Sequence, residues 1–209
     1  LSKIGLELPS WSEKVTVKHL LNYTSGLPII DYDNAENEKD MLEYLQLLPS
    51  LLFEPGTDFN YNNNSIFLQK RIIEIVTNKT FQEFVKENII IPLKMKDAVF
   101  DPDFSYPNRT RCFNMQKENA LEIDPSKGWL WLSIDDLNKW ITALHNYELI
   151  TETSLKTILK NQYFKDKTAI LGLTDDLFLT HIHGGQFYQF ETRFISEFDN
   201  DLNIILMSN

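Results

Sequence analysis

Few residues in this sequence stand in a pattern that suggests nucleophilic or metal-binding chemistry. Ser25 lies in a Thr-Ser-Gly turn, and its hydroxyl could attack a carbonyl carbon, but it lacks the flanking glycines of a G-x-S-x-G nucleophile elbow. His181 and His183 are two residues apart in a strand-like pattern, so both would point to one face and could bind a metal. No Cys, Asp or Glu adjoins them in the sequence to complete such a site, so we expect no metal.

Two further stretches place polar side chains next to a predicted helix or a predicted strand. Tyr61 and Asn63 precede a helical pattern, and His183 is followed by Gly184 and Gly185 beside a strand pattern. Each stretch also has a purely structural interpretation. Asn is a common helix cap and Tyr a common core residue, and a glycine pair next to a surface His is ordinary in a hairpin. The residues alone leave both interpretations open.

The elements that would position these residues follow from hydrophobic periodicity and from turn signals. Apolar side chains at helical spacing, together with caps such as Ser133, predict helices over 17–23, 40–48, 65–76, 80–88, 133–145 and 151–160. Alternation from Tyr188 to Phe194 and the apolar run 202–207 predict strands. The stretch 97–127 has no clear period and is predicted to be mostly loop.

Helices first and antiparallel strands last predict the α+β class. We expect one domain over 1–209, mainly helical and loop over 1–165, with antiparallel strands over 166–209. The chain has 209 residues, 43% of them apolar, and a formal net charge of −10. The negative charge argues against a binder of nucleic acid or of an anionic membrane surface. A single Cys, Cys112, excludes an intrachain disulfide, and no apolar run is long enough to span a membrane.

A series of longer blocks resembles the serine beta-lactamase-like family, which includes class C beta-lactamases, penicillin-binding proteins, D-aminopeptidases and esterases. The blocks follow the order of the family across nearly the whole chain. They are VTVKHLLNYTSGLP at 15–28, FEPGTDFNYNN at 53–63, and shorter matches at 72–74, 92–95, 128–137, 183–192 and 206–209.

The resemblance implies a role for each of the two stretches. In the Y-x-N motif, Tyr61 would take part in proton transfer with a catalytic Lys, and Asn63 would position the substrate and that Lys. His183-Gly184-Gly185 would be the H-x-G motif of an edge strand, which binds a substrate backbone and supplies an oxyanion donor. The substrate would be a small-molecule or peptide-like ester, amide or beta-lactam. No cofactor is implied, and the location suggested is periplasmic, envelope-bound or secreted.

The family's nucleophile motif, S-x-x-K, has no match in these residues, because no Lys has a Ser three residues before it. Thr153-x-x-Lys156 and Thr157-x-x-Lys160 come closest, but both follow Tyr61 in the chain, whereas the family's motif precedes the 15–28 block. We therefore expect a fragment, incomplete at both ends, of a serine hydrolase whose nucleophile lies outside it.

Several residues depart from the family's pattern and leave the substrate open. Trp129 and Gln189 stand where the family usually has Gly, and Lys167-Thr168-Ala169 has Ala where a K-T-G motif needs Gly. One alternative is a truncated, non-catalytic relative that binds a ligand or partner. Another is an unrelated α+β binding domain with chance matches.

Overall fold

Six helices and six strands are present in the part of the chain that the computed structural model describes, residues 1–2, 5–30, 38–100, 110–111, 113, 130–159, 173–174, 180–187 and 190–209. The helices are α1 (Val17–Leu21), α2 (Glu38–Leu47), α3 (Asn63–Thr77), α4 (Phe81–Val85), α5 (Ile134–His145) and α6 (Glu152–Leu159). A 3-10 turn at Ser10–Glu13 precedes α1, and a π-helical turn at Lys86–Ile90 extends α4. The strands are β1 (Val99–Phe100), β2 (Leu130–Trp131), β3 (Leu173–Thr174), β4 (Thr180–Phe187), β5 (Phe190–Glu197) and β6 (Leu202–Ser208).

The chain divides into two compact units. The first comprises Leu1–Phe84 and Leu159–Ile170, and the second comprises Val85–Ile158 and Leu171–Asn209. None of the helices in the described residues is long and apolar enough to cross a membrane. The single domain expected over 1–209 stays a prediction.

The core of the first unit is built around α3. Phe67 and Leu68 on this helix are fully buried, as are Leu20 of α1 and Leu45 of α2. Full burial of one such side chain contributes about 1.5–3 kcal/mol relative to an exposed position. The first unit thus fixes the start of α3, where the Y-x-N stretch lies.

The second unit contains an antiparallel sheet in the order β3-β4-β5-β6. Phe194 on β5 packs against Leu137 and Ile141 of α5, and Ile205 and Met207 of β6 join this cluster. The helix therefore covers one face of the sheet. The opposite face of β6 leaves three apolar side chains exposed, Leu202, Ile204 and Leu206, the last at 67%.

The start of α5 is anchored by a buried carboxylate. Asp136 is fully buried and accepts hydrogen bonds from the backbone N–H groups of Lys96 at 3.2 Å and Asp97 at 2.7 Å, and from Lys139 Nζ at 2.6 Å. Burial alone would raise the pKa of this carboxyl. The bonds from Lys139 and the two backbone groups outweigh burial, so the pKa is lowered.

The α+β class is confirmed, and the six predicted helices are present with ends that shift by a few residues. Two details differ. The alternation predicts a strand from Tyr188 with His183 beside it, whereas His183 lies inside β4, because the pairing of Thr180 with Glu197 extends the ladder backwards. The predicted loop over 97–127 contains β1, which pairs with β2. Tyr188, the predicted start of the alternation, lies outside the described residues.

Candidate active site

The Y-x-N stretch is organised by its middle residue. Asn62 is buried, and its side-chain oxygen accepts a hydrogen bond from the backbone N–H of Ser65 at 2.8 Å, which caps α3. Its amide nitrogen donates to the carbonyl oxygen of Asn60 at 2.7 Å. The structural interpretation of this stretch as a helix cap thus applies to Asn62, and it leaves Tyr61 and Asn63 without a capping duty.

Tyr61 and Asn63 flank the cap and are open to solvent. Tyr61 is 58% exposed, and Asn63, the first residue of α3, is half-buried. Among the described residues, neither side chain receives or donates a hydrogen bond. The phenol and the amide are therefore both available to a ligand in the first unit.

The buried ring of Tyr23 packs against the ring of Tyr61. The rings of Tyr23 and Tyr61 lie 4.6 Å apart, and Tyr23 itself is buried with a left-handed backbone at φ 53°. The carbonyl oxygen of Tyr23 accepts from the backbone N–H of Asn60 at 2.9 Å. These contacts connect the segment after α1 to the chain just before α3, so they position the exposed tyrosine.

Ser25 has a structural role. Its side chain is fully buried, lies 3.3 Å from the hydroxyl of Ser65, and accepts from the backbone N–H of Leu27 at 3.3 Å. A hydroxyl enclosed in this way cannot reach an external carbonyl. The sequence-based interpretation of Ser25 as unsuited to nucleophilic attack agrees with this position.

The H-x-G stretch lies within β4 of the second unit, opposite β5. A side chain at Gly184 would come within 3.0 Å of the carbonyl oxygen of Thr192, whereas Gly185 has no atom within 4 Å of a Cβ position. The neighbouring strand therefore constrains Gly184, and open space adjoins Gly185. That space lets another backbone approach the strand.

The two histidines of β4 lie on one face but have different surroundings. His183 is exposed and its ring stacks on Phe194, with centroids 6.0 Å apart, while His181 is buried with its ring edge-to-face on the same Phe194 at 4.9 Å. Crowding by the protein lowers the pKa of His183 through desolvation. Within the described residues, no group of three or more His, Cys, Asp or Glu could hold a metal ion.

A hydrogen-bonded network that the sequence did not predict lies behind β4. His145 Nε2 is 3.2 Å from His181 Nδ1, and His145 Nδ1 is 3.2 Å from Ser196 Oγ. Ser196 Oγ donates to Asn203 Oδ1, and Asn203 Nδ2 donates to Asn138 Oδ1 at 2.9 Å. The helical spacing of Asn138, Thr142 and His145 on α5 places three polar residues on the face that meets the sheet. This spacing is the feature of the sequence that could have indicated the network.

The predicted site residues thus fall into two groups. Tyr61 and Asn63 lie together in the first unit, and His183, Gly184 and Gly185 lie together in the second. Three residues at which the sequence departs from the family's pattern, Trp129, Ala169 and Gln189, lie outside the described residues. The first group presents an exposed phenol and a half-buried amide, and the second lies on a strand with open space beside Gly185.

The fold is of the beta-lactamase/transpeptidase-like class. The crystal structure of a D-stereospecific amidohydrolase from a Streptomyces species superposes with a TM-score of 0.77 over 98% of this chain and 71% of that one, at 18% identity. A likeness at this identity shows the fold. The family model named Beta-lactamase matches residues 7–209, and the chain belongs to that family.

Two curated relatives show the breadth of the family around this chain. Protein flp of Staphylococcus aureus strain MW2 is 25% identical over 165 residues, which is 70% of this chain and 33% of flp. Lovastatin esterase of Penicillium rubens is 34% identical over 99 residues, 42% of this chain and 25% of the esterase. The chain thus spans about a third or less of the length of these relatives.

Proposed function

We propose that this chain forms part of a serine hydrolase that cleaves an ester or amide bond through an acyl-enzyme. The observation that carries the proposal is the arrangement at the start of α3, where Asn62 takes the capping role and leaves Tyr61 and Asn63 open to a ligand. A tyrosine and an asparagine with no other duty, in a chain of this family, fit the Y-x-N motif.

In the proposed reaction, a serine hydroxyl forms a bond to the substrate's carbonyl carbon. Tyr61 takes part in moving the serine proton to the leaving oxygen or nitrogen as the C–O or C–N bond breaks, and Asn63 orients the substrate. Strand β4 beside Gly185 binds the substrate backbone and contributes a backbone N–H to the developing oxyanion. Water then releases the acid. A Ser-x-x-Lys pair, which these 209 residues do not contain, is required for the first step.

The names of the relatives support a carbonyl substrate and leave its class open. One is called an esterase and another an amidohydrolase. We propose a general ester or amide substrate ahead of a dedicated beta-lactam, because the chain matches the broad blocks of the family.

A second candidate is a relative that binds a ligand or partner without chemistry. Acyl transfer requires a Ser-x-x-Lys nucleophile, and these 209 residues do not contain one. Ligand binding would then remain, and the covalent step would not occur.

Covalent labelling followed by intact mass distinguishes the two candidates. The probes are a fluorescent penicillin and a fluorophosphonate, applied to this chain and to a form extended upstream in its reading frame. We expect an adduct on the extended form alone, weakened by Tyr61→Phe and Asn63→Ala and unchanged by Tyr44→Phe, an exposed tyrosine of α2 in the same unit. An extended form that neither labels nor hydrolyses simple esters would overturn the hydrolase proposal in favour of binding.

A further inference from the structure

In the network behind β4, the donor and the acceptor of each hydrogen bond can be assigned. Ser196 has one hydroxyl hydrogen, which it donates to Asn203 Oδ1, so Ser196 Oγ must accept from His145 Nδ1. With its proton on Nδ1, a neutral His145 presents a lone pair at Nε2. His181 must then donate its own Nδ1–H to that lone pair across 3.2 Å.

Four secondary-structure elements meet in this network. His145 is the last residue of α5, His181 lies on β4, Ser196 on β5 and Asn203 on β6. His181 and Ser196 are directly paired across the β4–β5 ladder, as are Ser196 and Asn203 across β5–β6. A single imidazole on the helix therefore joins three neighbouring strands at one level of the sheet.

At this junction, the surrounding side chains and strands shield His181 and Ser196 from solvent. His181 is 2% exposed and Ser196 1% exposed, and the ring of Phe198 lies edge-on against His145 with centroids 3.6 Å apart. Burial, with a smaller contribution from His181, lowers the pKa of His145 to about 3. His145 is thus neutral near neutral pH, as the direction of its hydrogen bonds requires.

We propose that His145 is a positioning residue for strand β4, acting through His181 to hold the stretch that contains His183 and Gly185. His183 and Gly185 are two and four residues beyond His181 on the same strand. The consequence for substrate rests on the proposed function, in which β4 binds the substrate backbone. The junction itself is a property of the second unit and is tested without substrate.

The first test is the ring tautomer of each histidine, read by long-range ¹H–¹⁵N NMR on the full chain at pH 7. The chain has four histidines, so each pattern is assigned by one substitution. We expect neutral His145 to carry its proton on Nδ1, which is the less common neutral form in free histidine, and His181 to carry a proton on its Nδ1. A proton on Nε2 of His145 would overturn the proposal, and it is read on the unsubstituted chain, since the substitutions serve only to assign the signals.

The second test breaks one bond of the junction. Ser196→Ala removes the acceptor of His145 Nδ1–H, so we expect His145 to shift toward the Nε2–H form and the β4 amide hydrogens to exchange about tenfold faster. Ser208→Ala, an exposed serine of β6 in the same sheet, is the matched control and should change neither signal. An unchanged tautomer in Ser196→Ala contradicts the proposed direction of the network.

The third test removes the hydrogen bonds of His145 but keeps an aromatic ring at that position. His145→Phe should speed exchange at Gly184 and Gly185, whereas His19→Phe in the first unit should not. In the extended form that labels covalently, His145→Phe should also slow labelling by about tenfold, as expected for a lost positioning contact. If no form labels, the proposed function fails, but the tautomers and exchange rates still decide the role of His145. Unchanged exchange of the β4 amide hydrogens in His145→Phe would overturn the proposed role of His145.

Discussion

At the scale of single residues, backbone conformation and crowding decide which positions tolerate change. Gly26 has φ +78°, and a Cβ there would lie 2.3 Å from the carbonyl oxygen of Phe53. Gly5 has a similar φ of +73° with nothing within 4 Å of its Cβ position. An added side chain at Gly5 would therefore meet backbone strain alone, whereas one at Gly26 would meet both backbone strain and a steric clash.

Gly26→Ala should lower the free energy of unfolding by about 2–4 kcal/mol, because it combines left-handed strain with a clash against backbone that cannot move aside. Gly5→Ala should lower it by about 1 kcal/mol, from strain alone. Urea denaturation followed by circular dichroism measures both. Equal losses for the two variants would contradict the role assigned to the Phe53 carbonyl.

Part of the candidate site could be predicted at this scale and part could not. The resemblance to the Y-x-N motif selected Tyr61 and Asn63 as candidates, but it did not show that Asn62, between them, is the cap. Any of three adjacent asparagines could have capped α3, and the choice depends on where the helix starts. His145 was missed because its partners His181 and Ser196 are 36 and 51 residues away, beyond the reach of periodicity.

At the scale of elements, α5 shows how a helix start is joined to its surroundings. Asp136 receives three hydrogen bonds, and two of them come from the backbone at 96 and 97, before β1. The neighbouring Asp135 is exposed in the same first turn. Both carboxylates favour the helix start electrostatically, but only Asp136 connects it to another segment.

Asp136→Asn should lower the free energy of unfolding by about 2–3 kcal/mol at pH 7, since an amide nitrogen would face donors in a buried site. Asp135→Asn should change it by less than about 0.5 kcal/mol. The pKa of Asp136 is lowered in the folded state, so its stabilisation is present above the unfolded pKa and is lost as pH falls through the folded pKa. Urea titrations at pH 7 and below pH ~4 should therefore show the Asp136→Asn deficit shrinking in acid.

Predictability also differed between elements. Helices with a strong cap and a clear apolar face, such as α5, could be placed within a residue, because the cap and the period are local. Strand β4 could not, since its first residues are defined by pairing with β5 and carry no alternation of their own. Strand β1 is two residues long and depends entirely on β2.

At the scale of the whole molecule, three of the four histidines share one response to acid. Burial lowers the pKa of His19 in the first unit and of His145 and His183 in the second. A histidine whose folded pKa lies below its unfolded value of 6.5 stays neutral in the folded state while the unfolded chain takes up a proton. Stability is therefore lost as pH falls below the unfolded value, down to the folded pKa.

Acidification from pH 7 to pH 5 should lower the free energy of unfolding, with His145 alone contributing about 1–2 kcal/mol. Most carboxylates remain ionised in this interval, so the histidines dominate the slope. Urea midpoints at several pH values measure it, and His145→Phe should flatten the slope whatever its effect at pH 7. A slope that His145→Phe leaves unchanged would contradict the lowered pKa.

The exposed face of β6 has a consequence for handling the protein. Within the described sheet, β6 pairs with β5 on one side only, and Leu202, Ile204 and Leu206 stand on its open face. An outer strand with unpaired backbone groups and protruding aliphatic side chains is a template for strand addition between molecules. We expect concentration-dependent aggregation, delayed by Leu206→Lys more than by a lysine at exposed Ser208, with light scattering over time as the measurement.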